Sequence, residues 1–341
     1  MKNRGFGSKL FIFVIMIILV FGLTACNQDT ENKANDDDHQ NTNQETGNNT
    51  TEEEFIDQEV YPAEISRNGD QVDITFYTTQ NKIEIAKGKF YQGWTFDGTV
   101  PGPVLRVKQG DNVSFTLVNK DPHMAHSIDF HAAETPWDKN YIDILPGESY
   151  TFDWKANVPG TFMYHCGTPP VIAHIANGMY GTIIVDPVES DKQQVFEPAR
   201  EFVLVQSEFY AGAHDVDDMI NGQPQVVAFN GKANKYQDTP LEAKPGELIR
   251  IHVVNAGPNN FSAFHIVGTI FEKVYLNGNP NNVDEGVQTV TIPPGGSYVV
   301  ELRVPEEGLY PMVTHSFKDA EKGAMGLLKI TKDAKDQPLA P

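Results

Sequence analysis

Val113-Ser114-Phe115-Thr116-Leu117-Val118 alternates apolar and polar side chains. Successive residues of a pleated chain point to opposite sides, so this pattern predicts a strand with one buried face. Tyr150-Thr151-Phe152-Asp153-Trp154 and Val300-Glu301-Leu302-Arg303-Val304 read the same way. Pro-Gly pairs at 101–102, 146–147, 159–160 and 245–246 punctuate the strands. No long helical periodicity stands out, so the fold class is all-β.

Working outward from these strands, the order of features repeats. Leu105-Arg-Val-Lys-Gln-Gly110 is echoed by Leu241-Glu-Ala-Lys-Pro-Gly246, and Val118-Asn119 by Val254-Asn255. Leu145-Pro-Gly-Glu-Ser-Tyr150 is echoed by Pro293-Pro-Gly-Gly-Ser-Tyr298. Gly178-Met-Tyr-Gly-Thr-Ile-Ile-Val185 is echoed by Gly323-Ala-Met-Gly-Leu-Leu-Lys-Ile330. The pattern predicts two Greek-key β-sandwiches, residues 55–190 and 191–335, each of a usual sandwich size, about 100–150 residues.

The residues before them read differently. Lys2, Arg4 and Lys9 form a basic head, Leu10 to Phe21 is apolar, and Leu23-Thr24-Ala25-Cys26 follows. A basic head, a short apolar run and small residues before a cut describe an export signal, residues 1–25. The run is short for a membrane-spanning helix, which needs about 20 apolar residues. An uncleaved signal anchor is the plainer alternative. Residues 26–54 are mostly Asn, Gln, Asp, Glu and Thr. Such a segment buries too little apolar surface to offset its ordering entropy and is expected to be a disordered tether. The net charge of the 341-residue chain is −20. That argues against nucleic acid as a partner. It fits a basic protein partner, and solubility equally well.

The chain has two cysteines. If the first is spent at the N-terminus, Cys166 has no partner within the chain. On an exported protein it is then either buried and inert or held by a metal. Its neighbours favour the metal. His165-Cys166-Gly-Thr-Pro-Pro-Val-Ile-Ala-His174-Ile-Ala-Asn-Gly-Met179 puts a thiolate, an imidazole and a thioether within one loop, and His126 lies upstream. Two His nitrogens, one Cys sulfur and a weak axial Met are the ligand set of a blue-copper electron-transfer site. Taken singly, each of these residues is more commonly packing or surface. Zinc is less suited, because its structural sites usually carry several cysteines.

His131 follows His126 by five residues, and His165 directly precedes Cys166. Odd spacing in both strands sends His126 and Cys166 to one face and His131 and His165 to the other. A second metal site is expected there, joined to the first through the Cys166–His165 peptide. Its third ligand is sought in Met312-Val-Thr-His315-Ser316, which echoes the His165-Cys166 strand with Ser in place of the thiolate. His265 falls in the segment that echoes His126. His252 lies on the polar face of its strand and is expected to meet solvent. His214 sits in a polar loop beside Asp215. Three imidazoles leave a coordination position open for substrate. Packing each second sandwich against a neighbour's first would close such a site, most simply in a trimer.

From about Tyr61 to Ile330 the chain resembles the copper nitrite reductases. The motifs that carry the resemblance are His126-Ser-Ile-Asp129-Phe-His131, His165-Cys166, Gly178-Met179 and Thr314-His315. The short loop between Cys166 and His174 looks like the form found in Gram-positive bacilli. Leu23-Thr24-Ala25-Cys26 resembles a lipobox, which implies a lipid on Cys26 and anchoring to the outer face of the cell membrane.

The resemblance implies two cupredoxin-like sandwiches and a homotrimer with two coppers per chain. His126, Cys166, His174 and Met179 would hold type 1 copper. His131, His165 and a neighbour's His315 would hold type 2 copper. Asp129 and His265 match the family's catalytic pair, and Val267 the residue shaping the substrate space. The activity implied is one-electron reduction of nitrite to nitric oxide and water in denitrification, fed by a cytochrome c or a small cupredoxin. Two rivals stay open. A multicopper oxidase would need about eight imidazoles, commonly in His-x-His pairs, and the chain has ten histidines and no such pair. A pure electron-transfer lipoprotein would leave His131, His165, Asp129, His265 and His315 unexplained.

Overall fold

The computed structural model describes residues 60–190 and 194–335. The signal, Cys26 and the tether lie outside the described residues. Among the described residues there are four sheets, and none mixes strands from before residue 187 with strands from after residue 199.

In the first half, one sheet runs Ile65–Asn68, Gln71–Ala86, Asn112–Asn119, Ser149–Lys155, with Lys89–Phe96 paired to Gln71–Ala86. Its partner runs Leu105–Lys108, Tyr180–Asp186, Gly160–His165, Asp129–Phe130. Asn112–Asn119 alternates between buried and half-buried, as its sequence predicts. Its inward Phe115 meets Phe130 of the facing sheet edge-on, ring centroids 4.8 Å apart. Burying each such side chain stabilises the fold by about 1.5–3 kcal/mol.

The second half repeats the plan. Its sheets run Val226–Phe229, Arg200–Phe209, Leu248–Gly257, Ser297–Arg303, Phe271–Leu276, Val283–Val287, and Leu241–Ala243, Met325–Ile330, Gly308–Thr314, Ser262–Ile266, Val290–Ile292. Equivalent pairs are parallel in both halves: Gln71–Ala86 with Asn112–Asn119, and Arg200–Phe209 with Leu248–Gly257. The echoed asparagines do the same work. The Asn119 side chain donates to the carbonyls of Met124 and Ile144, both at 2.8 Å. The Asn255 side chain donates to those of Asn260 at 2.8 Å and Ile292 at 3.0 Å.

All ten residues of Arg200–Phe209 are buried. One face, with Phe202 and Leu204, joins the core of the second sandwich. The other, with Val203, Val205 and Phe209, packs with Ile83, Ile85, Met163 and Ile184 of the first. This contact overturns two expectations. His252 is only 2% exposed, because the polar face of its strand lies against the first sandwich. Its Nδ1 pairs with Thr161 Oγ1 at 2.6 Å, across the two halves. Glu301, on the face expected to be wet, is buried too and accepts from Arg250 Nε at 2.8 Å. Arg250 also holds Glu201 at 2.8 Å, and Arg106 of the first sandwich reaches the same carboxylate at 2.6 Å. Polar residues on alternate positions here line a charged seam rather than a surface. Among the described residues no helix is long and apolar enough to cross a membrane.

Candidate metal centres

Asp129–Phe130 pairs antiparallel with Gly160–His165, setting Asp129 opposite His165 and Phe130 opposite Tyr164. Residues directly opposite share a face. Phe130 and Tyr164 turn into the core, so Asp129 and His165 turn away from it.

Cys166 leaves the strand on the other side and is fully buried. Its Sγ lies 3.2 Å from His174 Nδ1 and 3.9 Å from His126 Nδ1, and the two Nδ1 atoms are 3.3 Å apart. His126 is fixed by a two-way backbone bridge to Ile144. His174 stands on the helix Val171–Ala176. Met179 is buried beside them, its carbonyl accepting from the Cys166 amide at 3.1 Å.

The protons of this group are placed by its surroundings. His126 Nε2 donates to Asp121 Oδ2 at 2.9 Å, which leaves Nδ1 bare and turned toward Cys166. Burial favours a rise in the Asp121 pKa, but hydrogen bonds from His126, Gln80 and the His123 amide outweigh it and hold the carboxyl low. Burial lowers the pKa of His126 against the pull of Asp121, and lowers His174 to about 3. Burial also pushes the Cys166 thiol up, against the hydrogen bond from the Ser127 amide. Two neutral imidazoles and a thiol, dry and converging, suit a soft cation that would displace the thiol proton.

The second group holds Asp129, His131 and His165. His165 Nδ1 faces the Cys166 carbonyl at 2.9 Å, and His131 Nδ1 faces the Gly295 carbonyl at 3.2 Å. Each Nδ1 therefore carries its proton, and each Nε2 is a bare lone pair. Yet the two Nε2 atoms stand 3.0 Å apart. Facing lone pairs repel unless a cation lies against both, so the donor set fits a metal. Asp129 Oδ2 is 3.7 Å from His165 Nε2. Burial lowers the His165 pKa, which keeps its nitrogen free to ligate.

His265 and His315 do not join this group within one chain. They lie together instead, ring centroids 5.9 Å apart, His265 on the strand Ser262–Ile266 and His315 just past the end of its neighbour Gly308–Thr314. His265 Nδ1 donates to the Gln288 carbonyl at 2.6 Å. His315 is exposed, edge-on to the exposed Phe317, and exposed Val267 follows His265 by two residues. His214 is also exposed and lies against Trp94, whose ring meets His174. Asp121, Gly295 and Gln288 had no spacing signal to single them out, since each acts through a contact made only in the folded chain.

The same architecture recurs in known proteins. Two family models, each described as multicopper oxidase, match residues 77–190 and 200–329. A copper-containing nitrite reductase of Neisseria meningitidis serogroup A is 40% identical over 283 residues, 79% of this chain and 70% of that protein. The chain belongs to the copper-containing nitrite reductases. Among solved structures, a copper nitrite reductase from Nitrosomonas europaea matches with a TM-score of 0.75 at 41% identity, over 78% of this chain and 95% of that one. A multicopper oxidase matches with a TM-score of 0.69 at 28% identity, over 82% of this chain and 95% of that one.

Proposed function

We propose that this family member reduces nitrite to nitric oxide and water, taking up one electron and two protons per turnover. In this reading His126, Cys166, His174 and Met179 hold type 1 copper. His131 and His165 hold type 2 copper with His315 of a neighbouring subunit in a homotrimer. The observation that carries the reading is the pair of bare Nε2 atoms 3.0 Å apart, one residue along the chain from the buried thiol of the other group. Bound copper would supply the electron and a Lewis acid for the departing oxygen.

The chain's own residues manage the protons. Asp129 stands beside His165 and can hydrogen-bond a bound nitrite oxygen and pass it a proton. His265, its Nδ1 committed to Gln288, has Nε2 free to carry the second. Val267 would border the substrate space. The exposed, partly apolar surroundings of His315 support a subunit contact over it. We read residues 55–190 and 191–335 as the two cupredoxin domains. Cys26 would carry a lipid that holds the chain at the outer face of the cell membrane, within reach of a cytochrome c or small cupredoxin donor, as denitrification requires.

The test is nitrite-dependent nitric oxide release by purified, copper-loaded protein with an artificial reductant. No release from protein carrying both coppers sinks the proposal. The multicopper matches make oxygen reduction the second reading, and a copper count of four rather than two per chain would favour it.

A further inference from the structure

Asn177 is fully buried between His174 and Met179 and closes the helix that carries His174. Its amide bonds to the Ala173 carbonyl at 3.0 Å, and its own carbonyl accepts from the Trp94 amide at 2.9 Å. The side-chain Nδ2 donates to the Ala173 carbonyl at 2.8 Å and to the Ala213 carbonyl at 2.6 Å. Oδ1 accepts from the Tyr91 hydroxyl. One side chain thus ties three segments together: the loop from Cys166 to Met179, the strand Lys89–Phe96, and a loop of the second sandwich.

The next residues transmit that tie. Gly178 sits at φ +116°, where a Cβ would come within 2.5 Å of Val100, so the chain turns at one fixed angle. Beyond it, Met179 bonds through its amide to the His174 carbonyl and through its carbonyl to the Cys166 amide, both at 3.1 Å. Trp94, held by Asn177, lies edge-on to the His174 ring at 4.9 Å and also meets the rings of His126 and of His214 in the second-sandwich loop.

We propose that Asn177 is a positioning residue through which the second sandwich sets the shape and dryness of the Cys166–Met179 loop, and with them the reduction potential of copper bound there. The inference rests on the assignment of His126, Cys166, His174 and Met179 as type 1 ligands. Only an amide meets the demand at this position. Aspartate would set a carboxylate oxygen against the carbonyls of Ala173 and Ala213. Alanine would leave the Ala213 carbonyl and the Tyr91 hydroxyl without their partner, and water would enter to satisfy them. Water near the site stabilises the more highly charged oxidised copper, so the potential falls.

The experiment is an anaerobic redox titration of the blue absorption band in full-length, copper-loaded wild type, Asn177→Ala and Tyr91→Phe, with copper counted in each. Asn177→Ala is expected to keep its type 1 copper and shift the electron-exchange equilibrium toward oxidised copper about tenfold, equivalent to about 59 mV for one electron. Tyr91→Phe, which removes only the donor to Oδ1, is expected to shift it less in the same direction. An unchanged or raised potential in Asn177→Ala overturns the inference. If that variant does not fold, Tyr91→Phe decides, and an unchanged potential there overturns it. A wild type that binds copper without a blue band overturns the ligand assignment itself, a different failure from an insensitive Asn177→Ala.

Discussion

At the scale of single residues, the two groups depend on which imidazole nitrogens are left bare, and for His126, His131 and His165 the carboxylate and carbonyls behind them decide that. Asp121 fixes His126 by accepting from Nε2 at 2.9 Å. Asp121→Ala is expected to weaken type 1 copper binding about 10–100-fold, the usual cost of losing an outer partner of a ligating histidine. Competition with a chelator, followed by the blue band, measures it, and unchanged affinity would dismiss Asp121 as a spectator. Asp129 lies 3.7 Å from His165 Nε2 in the other group, and in the proposed reaction it supplies a proton. Asp129→Asn is expected to retain both coppers and lower the turnover of nitrite by about 100-fold or more, the scale of a lost proton donor. Near-normal turnover in a variant with both metals would remove Asp129 from the reaction. The two converging groups were legible in the sequence because a metal accepts few residue types, and because side-chain parity in a strand separates residues 165 and 166. Asp121 and Gly295 were not. One lies in an ordinary strand-end loop and the other contributes only a backbone carbonyl, so neither leaves a pattern that spacing could reveal.

At the scale of elements, the seam between the sandwiches shows what alternation conveys and what it conceals. The period-two pattern located the strands Asn112–Asn119, Ser149–Lys155 and Ser297–Arg303. It could not distinguish a face turned to water from a face turned to a second sandwich that answers charge with charge. Arg106, Arg250, Glu201 and Glu301 satisfy one another there, and His252 is carried in among them. Within that seam His252 Nε2 has no hydrogen-bond partner among the described residues and stands 3.9 Å from Glu201. Burial holds the His252 pKa down at about 3, with Glu201 opposing. A histidine held neutral in the fold is at no disadvantage above its unfolded pKa of about 6.5. As pH falls below that value the unfolded chain takes up a proton that the folded chain refuses. Stability is therefore lost progressively from about 6.5 down toward 3, by at most about 1.4 kcal/mol per pH unit. Glu201 is held at about 2 despite its burial, with Arg106 and Arg250 hydrogen-bonding its charged form, and adds a loss of the same sign only below its ordinary range near 4.5. Between pH 6.5 and 5, denaturant unfolding of His252→Gln is thus expected to depend less steeply on pH than that of wild type. Equal slopes would mean that His252 takes up its proton in the folded chain.

At the scale of the whole molecule, the residues assigned to the second centre are divided between the two sandwiches of one chain. Its first sandwich presents His131, His165 and Asp129, while His265 and His315 lie together on its second. In the homotrimer proposed above, a head-to-tail ring would join the first sandwich of each chain to the second sandwich of the next, and would close with every subunit equivalent. The arrangement can be tested by complementation. His131→Ala and His315→Ala are each expected to lose type 2 copper and activity while keeping the blue type 1 centre. When the two variants are co-expressed in equal amounts, a site is whole wherever a His315→Ala chain gives its first sandwich to the His315 of a His131→Ala neighbour. With random assembly each condition is met half the time, so about one quarter of the sites, and of the wild-type activity, is expected to return. If His315 reached the His131–His165 group of its own chain, every mixed site would still lack one ligand and nothing would return. Type 2 copper per chain, counted by electron paramagnetic resonance beside the activity, separates the two outcomes, because only the shared site recovers metal and turnover in the same proportion.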